Sequence, residues 1–156
     1  MIKDIDLQYM LLSIALTMLF VGFIGFERQR KHKVAGMTTH VLVALGACVL
    51  AIVQEKLYFE SVQFALDNPE IAGNVIADRQ RILAALITGV GFLGTGAIIK
   101  TNGNVHGLTT ASTLWIVAII GLVFGLGFYV MGIIISIAAI FTLVFIKKVF
   151  REKVGQ

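Results

Sequence analysis

Long apolar blocks separated by short polar segments set the pattern of this chain. A helix that crosses a membrane needs about 20 predominantly apolar residues, because the hydrocarbon core is roughly 30 Å thick. Several blocks approach this length, and they predict spans over residues 7–26, 36–53, 82–99, 108–124 and 128–146. We therefore predict an all-α integral membrane protein, a bundle of about five transmembrane helices with a glycine-rich central helix.

The composition supports the membrane class and argues against others. Hydrophobic residues make up 58% of the 156 positions and charged residues 14%, which is far from an average soluble domain. The formal net charge is +4, but the basic residues lie at the ends of apolar blocks. That placement is typical of contact with membrane lipid and not with nucleic acid. We predict one transmembrane domain over residues 1–156, with residues 147–156 as a short basic tail.

The basic residues also predict the orientation, since cytoplasmic connections carry an excess of Lys and Arg. If the first connection is cytoplasmic, most basic residues lie inside, the N-terminus is outside and the C-terminus is cytoplasmic. The inside set is Arg28, Arg30, Lys31, Lys33, Lys100, Lys147, Lys148, Arg151 and Lys153, and the outside set is Lys3, Lys56, Arg79 and Arg81.

The connection from Gln54 to Arg81 is the least regular part of the chain. Aromatic and apolar residues among polar neighbours predict an interfacial helix after the second span. Those residues are Tyr58, Phe59, Val62, Phe64 and Leu66. Further on, Asn68-Pro69-Glu70 has the pattern of a helix start, and Asp78 is a candidate cap for the third span. One continuous helix from Pro69 to Ile99 is the alternative, and the sequence leaves both open.

The third span contains a short glycine-rich run. Its glycines are Gly89, Gly91, Gly94 and Gly96. The run matches the G-x-G-x-x-G of dinucleotide-binding proteins, but that motif requires a preceding strand and a soluble helix. In an apolar segment without charge, we interpret these glycines as helix-packing positions. At about 100° per residue, Gly89 and Gly96 share one side and Gly91 and Gly94 the other, so we expect close contacts on both sides.

The fourth span carries a second glycine pair, Gly121 and Gly125. Small residues four positions apart let membrane helices approach closely. The fifth span follows after only Gly125-Leu126-Gly127, so we predict a tight hairpin between these two helices. Before the fourth span, Asn102-Gly103 is a turn dipeptide.

Ionisable side chains at membrane depth are candidates for function. Glu27 and Arg28 end the first predicted span, and His40 lies early in the second. The alternative for Glu27 and Arg28 is a solvated ion pair in the headgroup layer.

Hydroxyl side chains cluster at the start of the fourth span. Thr109 and Thr110 are followed by Ser112 and Thr113, although a helix start needs only one capping side chain. The surplus hydroxyls either bind a neighbouring helix or line a small polar cavity near the cytoplasmic face. The sequence leaves both interpretations open.

The sequence lacks the patterns of enzymes and metal sites. Its histidines, His32, His40 and His106, are scattered without the spacing of a preformed metal site. It has no recognisable nucleophile–base arrangement or carboxylate pair, and its single cysteine, Cys48, is typical of a small packed hydrophobe. We therefore predict a protein that is not an enzyme and that holds no metal or cofactor.

A series of motifs in the same order makes the chain resemble the N-terminal membrane domain of the MgtC/SapB family. The likeness extends from about Met10 to Tyr129. The matching positions are Gly25-Phe26-Glu27-Arg28-Gln29, Ala35-Gly36, Thr39-His40, Leu45-Gly46-Ala47, Asp78 with Arg81, Gly89 to Ile99, Gly107 to Ala111, Trp115, Ala118, Gly121, Gly125, Gly127 and Tyr129. Longer members carry a soluble C-terminal domain of ACT-like fold, whereas this chain resembles the short, membrane-only form.

The resemblance implies a bacterial inner-membrane protein linked to growth under magnesium limitation and to virulence. Some members act by binding other membrane proteins. Asp78 and Arg81 join the candidate polar residues on this basis. Our first hypothesis is a non-enzymatic protein of ion or envelope homeostasis that acts through helix–helix contacts, as a homo-oligomer or with membrane partners. The second is a small ion or solute transporter or channel that works as a homodimer, with a path between Glu27, His40 and the hydroxyls at 109–113.

Overall fold

The structure is a computed structural model that describes residues 6–70 and 79–146. The predictions for Asp78 and for the basic tail at 147–156 concern residues outside these ranges. The described parts of the chain form five helices, with one small β-hairpin between the third and the fourth. The elements are α1 (Leu7–Arg30), α2 (Met37–Asp67), α3 (Arg79–Gly96), β1 (Ile99–Thr101), β2 (Asn104–His106), α4 (Leu108–Gly125) and α5 (Tyr129–Phe141), and α5 continues as a π-helical segment (Thr142–Ile146).

Three of these helices, α1, α2 and α4, are long and apolar enough to cross a membrane. Two further apolar helices, at Arg81–Gly96 and Tyr129–Phe145, are shorter. The predicted all-α membrane bundle is therefore confirmed as a class.

Helix α2 is longer than the span that the sequence predicts. It runs to Asp67 without a break at Val53, so the predicted boundary is wrong, and the helix predicted after it is a continuation of α2. Gln54 and Glu55 continue the helix because Gln and Glu are good helix formers, and both are buried. At about 1.5 Å per residue, the 31 residues of α2 extend roughly 46 Å, well beyond a hydrocarbon core of about 30 Å.

Helix α3 ends at Gly96, before the predicted end at Ile99. The chain leaves the helix because Ile99 pairs with His106 in the antiparallel hairpin. The two-residue loop of that hairpin is Asn102-Gly103, with φ values of 50° and 80°. These values fit a type I′ turn, for which Asn-Gly is the preferred dipeptide.

Helix α4 lies at the centre of the bundle and packs against each of the other four helices. Its apolar side chains meet those of α1 and α2 in the middle of the molecule. This apolar layer consists of Val21, Ile24, Ala44, Val117, Ile120 and Phe124.

The backbones of α2 and α4 approach closely through the predicted glycine pair. A Cβ on Gly121 would overlap the carbonyl group of Ala44, and a Cβ on Gly125 would overlap the carbonyl oxygen of Cys48. Ala44 and Cys48 are also four residues apart, so two small residues on each helix face each other. The partner of the Gly121–Gly125 surface is therefore α2 of the same chain.

Helix α3 lies at the edge of this bundle, not at its centre. Gly94 faces Ala111 of α4, with 3.7 Å between an ideal Cβ and the Ala111 Cβ. Around Gly89, Gly91 and Gly96, no atom lies within 4 Å of an ideal Cβ in the described structure. Among the described residues, the close two-sided contact expected for the α3 glycines is thus not made.

The connection between α4 and α5 is the tight hairpin that the sequence predicts. Gly127 has a φ of 79°, a left-handed conformation that glycine adopts without a steric penalty. The Gly127 N–H donates to the Phe124 carbonyl and the Phe128 N–H to the Val123 carbonyl. This pair of bonds is a Schellman motif, and it ends α4 while satisfying two of its last carbonyls.

Candidate functional site

Arg28 is the most deeply buried charged side chain in the described structure, with 1% of its surface exposed. It lies in the last turn of α1 and points to the start of α4, where its Nη2 donates to Thr110 Oγ1 at 3.0 Å. Thr110 is itself 2% exposed. The first turn of α4 and the last turn of α1 are thus joined by one charge-assisted hydrogen bond.

His40, on α2, completes the contact between three helices. Its side chain is fully buried, and Nδ1 lies 2.8 Å from the Gly36 carbonyl oxygen. Since a carbonyl only accepts, Nδ1 carries the proton of this bond. Nε2 lies 2.9 Å from Thr113 Oγ1, and the same hydroxyl lies 2.9 Å from the Thr110 carbonyl oxygen. Thr113 therefore has two acceptors within reach of one proton.

Glu27 stands beside this network and forms an ion pair with Lys31. Its Oε2 lies 4.0 Å from Arg28 Nη1, which is too long for a hydrogen bond. The Nε and Nη1 atoms of Arg28 and both carboxylate oxygens of Glu27 are buried and have no hydrogen-bond partner among the described residues. We call Glu27, Arg28, His40, Thr110 and Thr113 the Arg28 cluster.

Several sequence-predicted site residues lie in this cluster and others do not. Glu27, Arg28, His40 and Thr110 come together, and Thr113 joins them. Arg81 is exposed on α3 and Thr109 is exposed on α4.

The hydroxyls at the start of α4 have two different surroundings, a neighbouring helix and a mostly apolar groove. Thr110 binds α1 through Arg28. Thr109, Ser112 and Thr113 line a groove between α4 and α5 with a volume of about 430 Å³. Thr113 takes part in both, because it also bonds His40 on α2.

A second polar cluster, which the sequence analysis missed, lies at the opposite end of the bundle. The Tyr9 hydroxyl donates to the Gly125 carbonyl oxygen, one of the last carbonyls of α4 that has no partner within the helix. Ser13 Oγ lies 3.3 Å from the Tyr129 hydroxyl. Thr17 Oγ1 donates to the Ser13 carbonyl at 2.8 Å. The four-residue spacing of Tyr9, Ser13 and Thr17 places them on one helix face and is the signal that would have found them.

The apolar layer separates the two polar clusters. Val21, Ile120 and Phe124 in this layer are each fully buried. Polar groups therefore approach the middle of the bundle from both ends without a continuous polar path in this conformation.

The described residues hold no group of three or more His, Cys, Asp or Glu side chains placed to bind a metal ion. The Arg28 cluster has instead the chemistry of hydrogen-bond donation, with a buried guanidinium, a histidine and two hydroxyls.

The fold and the site together define a helical membrane protein with a buried arginine where its helices meet at one end of the bundle. The MgtC family model matches residues 14–152, and the chain belongs to the MgtC family. The family resemblance seen in the sequence is thereby confirmed.

Curated relatives share about two fifths of the aligned residues. The chain is 41% identical over 142 residues to a protein named "Putative magnesium transporter YhiD" from Escherichia coli strain K12, covering 90% of this chain and 62% of that protein. It is 40% identical over 106 residues to "Protein MgtC" of Brucella abortus, covering 68% of this chain and 38% of the relative.

A third relative, "Protein MgtC" of Salmonella typhimurium, is 38% identical over 117 residues, which cover 75% of this chain and 43% of the relative. The chain thus spans less than two thirds of the length of these relatives. No solved structure matches it.

Proposed function

We propose that this chain is a non-enzymatic, multi-pass protein of a bacterial inner membrane that acts in magnesium or envelope homeostasis through helix–helix contacts. Family membership and the relative with the printed name "Putative magnesium transporter YhiD" support the magnesium connection. The proposed orientation has the N-terminus outside and the C-terminus in the cytoplasm.

The observation that carries the helix-contact mechanism is the open glycine surface of α3. Gly89 and Gly96 lie on one side of the helix, and neither has an atom within 4 Å of an ideal Cβ in the described structure. In a membrane, small residues let a second helix approach closely enough for backbone packing. The proposed occupant of this surface is a second copy of the chain or another membrane protein.

The matched experiment compares Gly89→Leu with Ala84→Leu. Both positions are exposed on α3, and they lie about 140° apart around the helix. Gly89→Leu is expected to abolish the homodimer or the co-purified membrane partner, while Ala84→Leu retains it. Both variants are expected to insert into the membrane and to melt like the wild type. Retention of the assembly in Gly89→Leu refutes the mechanism.

The second candidate function is transport of an ion or solute by a homodimer. The observation that favours it is the pair of polar clusters at opposite ends of the bundle, separated by an apolar layer that a conformational change would have to open. The test is purified protein in liposomes that contain a magnesium-sensitive dye. Uptake above that of empty liposomes, reduced by His40→Gln, supports transport, and uptake equal to that of empty liposomes contradicts it.

A further inference from the structure

The Arg28 guanidinium offers more hydrogen-bond donors than its surroundings accept. Arginine carries five N–H groups, and the structure uses Nη2 for Thr110. Nε and Nη1 are buried without an acceptor. A buried charge without hydrogen bonds is strongly unfavourable, so these donors point to an acceptor that the described residues do not place within hydrogen-bond distance.

The nearest carboxylate does not fill this role. Glu27 is paired with Lys31, and 4.0 Å separate its Oε2 from Arg28 Nη1. With Arg28 and Lys31 positive and Glu27 negative, this group of three side chains carries one net positive charge. One further negative charge would neutralise it.

The start of α4 adds more donors beside the same guanidinium. Its N-cap is Gly107, which gives no side-chain cap, and the first bond within the helix runs from the Ala111 N–H to the Gly107 carbonyl. The N–H groups of the first turn therefore have no partner within α4, and the positive end of the helix dipole lies here. Helix starts with this property bind anions.

The distribution of charged residues at this end of the bundle also favours binding of an anion. Segments 27–37 and 97–110 together carry basic side chains and a single acidic one, Glu27. The basic side chains are Arg28, Arg30, Lys31, Lys33 and Lys100. Such an excess of positive charge attracts anions and repels Mg²⁺.

We infer that the Arg28 cluster binds one oxyanion group of the phosphate class, held by Arg28 Nε and Nη1 near the first turn of α4. Guanidinium matches the geometry of such a group with two parallel hydrogen bonds. The group comes from free inorganic phosphate or from the headgroup of an anionic phospholipid. This binding site is independent of the glycine surface on α3, and its positive charge excludes Mg²⁺ from this position.

The test measures thermal unfolding of delipidated protein in a phosphate-free maltoside detergent. Inorganic phosphate is titrated at constant ionic strength, with chloride and MgCl₂ as separate titrations. A hundredfold excess over Kd is expected to raise the melting temperature by about 5–10 °C. Dioleoyl-phosphatidylglycerol is added in a second arm. If the lipid headgroup is the source, this lipid raises the melting temperature and phosphate then adds nothing.

Three substitutions test whether binding depends on the Arg28 guanidinium. Arg28→Lys keeps the charge but loses the planar fork, and phosphate or lipid affinity is expected to fall at least about tenfold. Glu27→Gln removes the competing negative charge and is expected to raise affinity at least about threefold. Arg30→Gln removes an exposed charge two residues away and is expected to change affinity by less than about twofold.

Several outcomes overturn the inference. One is the absence of any stabilisation by phosphate or by phosphatidylglycerol. Another is an equal loss in Arg30→Gln and Arg28→Lys, because the response is then screening of surface charge. A third is stabilisation by Mg²⁺ that depends on Arg28. If Arg28→Lys fails to fold, broadening of the phosphate ³¹P resonance by wild type, increased in Glu27→Gln, still decides the question.

Discussion

The close approach of α2 and α4 makes a sharp prediction for Gly121→Ala. A Cβ at this position would lie 2.8 Å from the carbonyl carbon of Ala44 and 3.0 Å from its Cα. The obstacle is the backbone of a residue that is fully buried, so it cannot rotate away as the end of a flexible side chain would. One methyl group therefore forces the two helices apart.

The expected magnitude follows from two opposing terms. Overpacking a well-filled interior lowers the free energy of unfolding by about 1–3 kcal/mol, and a backbone obstacle places Gly121→Ala at the upper end. Replacing glycine by alanine in a helix returns about 1 kcal/mol. The net destabilisation is about 2 kcal/mol, which corresponds to a fall in melting temperature of about 4–8 °C for a chain of this length.

Gly46→Ala is the matched control, because Gly46 is also a helical glycine but has no atom within 4 Å of an ideal Cβ in the described structure. It is expected to raise the melting temperature by about 1–4 °C, since only the helix-propensity gain remains. Thermal unfolding of both purified variants is followed by the fluorescence of Trp115, the single tryptophan. Equal melting temperatures for Gly121→Ala and Gly46→Ala would refute the close-packing interpretation.

Three further substitutions test other parts of the structure by the same melting assay. Thr113→Val removes the hydroxyl beside His40 Nε2 and is expected to cost about 1–3 kcal/mol, because a buried ring nitrogen loses its hydrogen-bond partner. Tyr9→Phe leaves the Gly125 carbonyl oxygen without its side-chain donor, with a similar expected loss of about 1–3 kcal/mol. Gly107→Ala places a side chain at a φ of 88° and against the backbone of Ala97 and Ile98, so at least about 1–3 kcal/mol of strain is expected.

Two of these variants have a control that makes the same change at an open position. Thr109→Val removes a hydroxyl from an exposed residue of the same helix, and a loss as large as that of Thr113→Val would contradict the role of the hydrogen bond to His40. Gly46→Ala serves again for Gly107→Ala. A normal melting temperature for Tyr9→Phe would mean that the Gly125 carbonyl finds another donor.

The class of fold was predictable from the sequence. The length of each apolar block, compared with the thickness of a membrane, is enough to indicate a membrane-spanning helix. The turns at Asn102-Gly103 and Gly127 were also predictable, since each depends on the few residues that form it. The end of α2 was not predictable. The polar residues Gln54 and Glu55 indicate the start of a connection, and only the structure shows that both are buried. The early end of α3 likewise depends on the pairing of Ile99 with His106.

The candidate site was predicted as a set of residues but not as a geometry. Glu27, Arg28 and His40 stand out because charge and imidazole are rare at membrane depth. The choice of Thr110 over Thr109 as the partner of Arg28 depends on how α4 is rotated about its axis, which the sequence does not reveal. The second polar cluster, formed by Tyr9, Ser13, Thr17 and Tyr129, was missed because hydroxyl residues within an apolar block look like tolerated polar interruptions. Their common helix face becomes visible only when their four-residue spacing is considered.

The glycines of α3 and α4 show how one residue type serves two different purposes in the same bundle. Gly121 and Gly125 have a lower helix propensity than alanine, but they allow the backbone of α2 to pack directly against the backbone of α4. Gly89, Gly91 and Gly96 carry the same penalty, about 1 kcal/mol each relative to alanine, without a neighbour at that distance in the described residues. In the described residues, the helix-propensity cost of these three α3 glycines is therefore not offset by close packing. A close contact from a second helix would offset that penalty, which is the physical reason for proposing α3 as the surface that binds a partner.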